Sequence, residues 1–88
     1  MDSLNGALLF RTAYCESMMF DYDKSIPKYE KCVSLNYRKA DSYLSLALNY
    51  EAIDSDYKSR YYADKCVQTD STKADKVQKL LLRLNNNK

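Results

Sequence analysis

The chain has no histidine and no tryptophan, and only one glycine (Gly6) and one proline (Pro27) in 88 residues. Without histidine, neither a zinc-finger ligand set nor a Cys/His nucleophile pair can be built. A single glycine excludes a glycine-rich phosphate loop. With so few turn-formers, most of the chain must lie in regular elements. No apolar run approaches the roughly 18 residues that span a bilayer, so membrane insertion is not expected. The opening stretch, MDSLNGALLF, has an aspartate where a secretory signal carries a basic region. The expectation is one soluble, cytoplasmic domain over residues 1–88, near the lower size limit for a self-sufficient core. A net charge of +2, with both signs interspersed, supplies no field for nucleic acid.

Cysteine is also scarce. Cys15, Cys32 and Cys66 are an odd number with no CxxC pair. A disulfide or a redox or metal role for Cys32 and Cys66 stands beside a plainer reading, buried thiols in a reducing compartment. The acidic turns Asp21-Tyr22-Asp23 and Asp54-Ser55-Asp56 suggest calcium loops. An EF-hand needs Gly at its sixth position and Glu at its twelfth. Counting from Asp54, those places hold Ser59 and Lys65; from Asp21 they hold Ile26 and Cys32. Helix capping explains these turns better. No nucleophile motif or acid–base pair is assembled, so neither an enzyme nor a bound cofactor or metal is expected.

What the chain does have is helical periodicity. Five amphipathic segments follow one another: Leu4 to Phe20, Tyr22 to Leu35, Ala40 to Ile53, Tyr57 to Val67 and Thr72 to Leu84. Tyr43, Leu46, Ala47 and Tyr50 form an i, i+3, i+4, i+7 set in the third. Asp21 is placed to cap the second, where Pro27 predicts a late start or a bend. Thr72 and Asp75 stand at capping-box spacing before the fifth, and Asn85 to Lys88 read as a frayed end. No segment alternates with period two. The fold class is all-α.

The segments repeat. EKCVSLN (Glu30 to Asn36) returns as DKCVQTD (Asp64 to Asp70), with Cys32 and Cys66 34 residues apart (66 − 32). The same offset takes Ala13 to Ala47, Ser25 to Ser59, Lys31 to Lys65 and Val33 to Val67. A second step takes Tyr43 to Val77, Leu46 to Leu80, Ala47 to Leu81 and Tyr50 to Leu84. Small positions let the two helices of a unit approach closely, and large ones fill the gap between units. A helix–turn–helix unit of about 34 residues is the period of tetratricopeptide repeats.

The chain resembles that family over about residues 6 to 84. ADSYLSLALNY (Ala40 to Tyr50) is similar to its first-helix pattern. YYADKCVQTDS (Tyr61 to Ser71) and DYDKSIPKYEKCVSLN (Asp21 to Asn36) are similar to its second. Thr12, Glu16 and Ser71 depart from the family's Leu, Tyr and Pro, and Tyr57 sits one place late relative to Tyr22. The resemblance implies antiparallel helix–turn–helix repeats stacked as a short α-solenoid of five helices. Repeat one covers about 6–39, repeat two about 40–73 and a capping helix about 72–85. Lys73, Lys76, Lys79 and Arg83 would form the cap's outer face, read as solvated in preference to meeting an acidic partner or membrane surface.

Family members bind partner peptides in the groove lined by first helices. By register the groove residues here are Phe10, Tyr14, Ser17, Met18, Asp41, Leu44, Leu48 and Glu51. That is an apolar, aromatic patch with an acidic edge. Phe10 and Tyr14 stand where chaperone-tail binders use Lys and Asn, so an apolar or amphipathic segment of another protein is the implied ligand. The first helix is apolar nearly all round, through Leu8, Leu9, Phe10, Tyr14, Cys15, Met18, Met19 and Phe20. A hidden core and a partner surface, including a homo-oligomer or a longer repeat array, are both open readings of it.

Overall fold

With almost no glycine, the helices must end by other means. The computed structural model describes residues 3–86. It contains α1 (Ser3–Met18), α2 (Tyr22–Ser34), α3 (Lys39–Ala52), α4 (Asp56–Thr69), a 3₁₀ turn (Ser71–Lys73) and α5 (Ala74–Asn86). No described residue lies in a strand. The first three helices end on left-handed residues that are not glycine: Phe20 (φ 63°), Asn36 (φ 58°) and Asp54 (φ 62°). At each end, two N–H groups turn back onto the last carbonyls. Phe20 donates to Ser17 and Asp21 to Glu16; Asn36 to Val33 and Tyr37 to Cys32; Asp54 to Glu51 and Ser55 to Tyr50. This Schellman closure satisfies carbonyls the helix would otherwise leave open. Asn and Asp tolerate the left-handed region, whereas Phe pays about 1 kcal/mol for it. Phe20 and Asp54 hold corresponding places in the 34-residue register.

Three local expectations are corrected. Pro27 neither delays nor splits α2, which runs unbroken from Tyr22. It sits at an exposed position in the second turn and removes only one backbone donor. Asp21 does occupy the N-cap position, but its side chain makes no capping bond and lies 3.5 Å from Lys24 instead. At the last boundary the cap is Asp70, not the Thr72/Asp75 pair. Its carboxylate accepts from the Thr72 N–H at 3.0 Å and from the Thr72 hydroxyl at 2.6 Å. These two bonds hold the Asp70 carboxyl below the usual carboxylate range. Of the four terminal residues expected to fray, Asn85 and Asn86 are helical, and Asn87 and Lys88 lie outside the described residues.

The helices form two layers. α1, α3 and α5 share one side, joined by Ser17 to Asn49 and by ion pairs from α3 to Lys73 of the 3₁₀ turn and Arg83 of α5. α2 and α4 share the other, where Tyr62 reaches Glu30. The result is a slab of 41 × 28 × 16 Å. One core cluster joins Ala13, Ile26, Tyr29, Leu46 and Tyr50; the other joins Ala47, Ala63, Cys66, Val77, Leu80 and Leu84. Tyr43 and Tyr62 pack against both and make the cores continuous.

The small residues of the repeat do the same work twice. The Ser25 hydroxyl donates to the Ala13 carbonyl at 2.8 Å, and the Ser59 hydroxyl to the Ala47 carbonyl at 2.8 Å. All four residues are fully buried, as are Cys32 and Cys66. A larger side chain at any of them would push the paired helices apart. The two thiols are free, and burial raises both above the ordinary thiol value, so they pack as small apolar groups. Gly6 performs a related service that composition alone did not reveal. A Cβ there would lie 2.7 Å from the Tyr37 Cγ, so only glycine admits this aromatic ring.

Candidate functional site

The residues expected to line a groove lie on the α1/α3 side, but they do not behave alike. Tyr14, Met18 and Leu48 are 55%, 62% and 40% exposed. Phe10 is half-buried. Its ring meets Tyr29 edge-on at 5.4 Å and Tyr37 at 6.0 Å, and the Arg38 guanidinium lies 4.7 Å above it. Beside it opens a cleft of about 500 Å³ lined by Ala7, Phe10, Arg11, Tyr14, Tyr37 and Arg38. Leu44 is half-buried against the second core cluster.

Ser17 faces inward. Its hydroxyl donates to Asn49 Oδ1 at 2.8 Å and lies 2.7 Å from the Ser25 hydroxyl. Asn49 Nδ2 in turn donates to Ser25 Oγ at 3.0 Å. This buried triangle ties the first helical pair to α3, and no buried side-chain polar atom among the described residues lacks a partner. Ser17 is thus part of the scaffold and not an open lining residue.

The acidic edge is corrected more substantially. Asp41 Oδ1 lies 2.8 Å from Lys73 Nζ, and Asp41 Oδ2 lies 3.1 Å from Arg38. Glu51 accepts a two-pronged bond from Arg83, at 2.9 Å on each oxygen. The Lys73 ammonium, with help from Arg38, holds the Asp41 carboxyl below the usual carboxylate range. Lys73 and Arg83 were expected on a wholly solvated cap face; both instead reach back to α3. Only Lys76 and Lys79 of that basic set are exposed and without such a partner among the described residues. Both carboxylates are therefore already neutralised, and the free charge beside the apolar patch is basic. Arg11 makes no ion pair with another described residue.

Between α3 and α4 lies a feature the sequence reading missed, a tyrosine ladder. Tyr62 stacks on Tyr50 (5.6 Å, 4° between planes) and on Tyr43 (6.0 Å, 30°), with Tyr61 edge-on at 5.1 Å. Burial, with the negative charge of Glu30, pushes the Tyr62 phenol up to about 12. The abundance of tyrosine, nine residues, was the available signal. A second cleft, about 620 Å³, opens between α4 and α5, with Tyr57, Tyr61, Val67, Val77 and Leu81 among its walls.

No described helix is long and apolar enough to cross a membrane. Comparison with family models, with curated proteins and with solved structures finds no match for this chain.

Proposed function

We propose that this chain is a tetratricopeptide-like interaction module that holds an apolar or amphipathic segment of a partner protein against α1 and α3. The observation that carries this reading is the exposure of Tyr14, Met18 and Leu48 beside the Phe10 cleft, on a scaffold whose polar groups are satisfied. Rigid helices present the patch, so binding side chains there costs little ordering of the host. The 34-residue register and the duplicated Ser–Ala bonds support the family resemblance.

The ion pairs refine the ligand. With Asp41 and Glu51 engaged by Lys73 and Arg83, the free charge nearest the patch is Arg11. The preferred segment is apolar on one face and neutral or acidic on its flank. The module contributes shape and desolvation, with no cofactor and no chemistry of its own.

The test is an array of amphipathic peptides carrying acidic or basic polar faces, read by fluorescence anisotropy. Peptides with acidic flanks should bind, and Tyr14→Ala with Leu48→Asp should weaken them by about tenfold or more, since each removed hot-spot contact costs roughly 1–2 kcal/mol. Both positions are exposed, so the fold should survive. Binding that ignores this double substitution, or a preference for basic flanks, would overturn the assignment.

A further inference from the structure

One face of α1 is covered by nothing in the described chain. Gly6 and Ala13 turn toward the interior, and the positions opposite them are Leu4, Leu8, Arg11, Cys15 and Met18, all exposed. Their spacings run four, three, four, three. That alternation keeps one stripe facing a neighbouring helix along its whole length, as in the seam of a coiled coil. Met19 flanks the stripe, and Phe20 stands at its end, 79% exposed.

We propose that a second copy of this chain docks on this stripe, α1 against α1, antiparallel about a two-fold axis. Three observations select that occupant. The first is size. Covering Leu4, Leu8, Met18, Met19 and Phe20 would remove on the order of 800 Å² from each copy, what one partner contributes to a stable interface of standard size. Such a patch exceeds what monomers ordinarily leave in water. The second is self-complementarity. A seam with one spacing matches itself, and a two-fold axis closes the assembly with both patches used.

The third is charge. Arg11 is the only charged residue in the stripe. Parallel pairing would set Arg11 against its own copy. Antiparallel pairing with the stripes fully overlapped, Leu4 on Met18, would do the same, whereas shifting the copies by about one turn places Leu8 opposite the second copy's Met18 and Arg11 opposite its Cys15. Leu4 then reaches toward the turn that carries Phe20 in the other molecule. Like charges are then kept apart, and Leu8 and Met18 find apolar neighbours. This interface would cover Met18 and Arg11, which the proposed groove also uses, but Tyr14 and Leu48 lie outside the stripe, so substitutions at those two positions report on the groove alone.

Sedimentation velocity on the whole chain, from low to high micromolar concentration, tests the proposal. A reversible dimer is expected. Leu8→Lys with Met18→Lys should weaken it by about a hundredfold or more, because each dimer would bury unpaired ammonium groups. Helix content by circular dichroism should be unchanged, since neither side chain is in the core. Tyr14→Ala with Leu48→Asp should leave the dimer intact, which separates this failure from failure of the groove. The register has its own readout. Under mild oxidation Arg11→Cys should yield a covalent dimer through the native Cys15 of the other copy, far faster than the wild-type chain does. A monomer at every concentration, or a dimer indifferent to the two lysines, would overturn the proposal. So would growth beyond a dimer, which would assign the stripe to the α4/α5 cleft of the next molecule in an open chain.

Discussion

Asn49 offers the sharpest test of how the units are joined. Its side chain is only 4% exposed and bonds to α1 and α2 at once, through Ser17 and Ser25. Asn49→Ala removes one acceptor and one donor from a dry site and leaves the Ser17 hydroxyl only the Ser25 oxygen, 2.7 Å away, to donate to. Each lost hydrogen bond costs about 0.5–1.5 kcal/mol, so the two together cost about 1–3 kcal/mol. Asn49→Asp should be worse at neutral pH. Ser25 already donates its proton to Ala13, so an oxygen in place of Nδ2 would face a lone pair where a donor stood. A carboxylate there would also be desolvated, so its folded pKa would rise above the unfolded value of about 3.9. The excess loss is then absent at low pH, where the carboxyl is protonated in both states, and grows as pH rises through the range between the two values. A domain of this size has a total stability of about 4–13 kcal/mol. A loss of 2 kcal/mol should move the urea midpoint by about 1 M. Equilibrium unfolding of both variants at pH 4 and pH 7 is the assay. Equal midpoints for Asn49→Ala and Asn49→Asp, with no pH dependence of their difference, would refute the triangle as the tie between units.

Two further outcomes follow from the packing and the charges. Gly6→Ala should destabilise by about 1–3 kcal/mol in thermal unfolding, as overpacking does, because the Tyr37 atoms it meets lie next to the backbone and cannot swing away. Tyr37→Ala should reduce that penalty in a double-mutant cycle without abolishing it, because the Tyr37 Cβ, 2.8 Å from the added carbon, remains; additive losses would contradict the contact. The depressed Asp41 carboxyl implies acid sensitivity: its pairing with Lys73 stabilises fully above the unfolded pKa and is lost as pH falls through the folded value. Asp41→Asn should therefore lower the melting temperature slightly at pH 7, by an amount that shrinks as pH falls through the folded value. The effect should be small and salt-sensitive, as for pairs that water reaches.

Much of the architecture was legible before any coordinates. Helical periodicity excluded strands because apolar side chains recur every three or four residues, a spacing a strand would scatter over both faces. The 34-residue echo identified Ser25, Ser59, Cys32 and Cys66 as close-packing positions, and all four are fully buried. Boundaries were less legible. The Thr72/Asp75 spacing looked like a capping box, yet Asp70 captured the turn, because a carboxylate two residues upstream can bond both the Thr72 N–H and its hydroxyl.

By itself, then, the sequence determined the kind of secondary structure, the repeat and the identity of the buried small residues. These follow from local spacing and from side-chain volume, which read the same in any arrangement. Tertiary structure alone decided the character of the candidate site. Lys73 and Arg83 neutralise acids 32 residues before them in the chain, Asn49 gathers two serines from two other helices, and Tyr37 closes over Gly6. Register showed where Asp41 and Glu51 stand but not which charges meet them. Electrostatic and hydrogen-bonding partners are chosen by distance in space, and that distance exists only once the helices are packed.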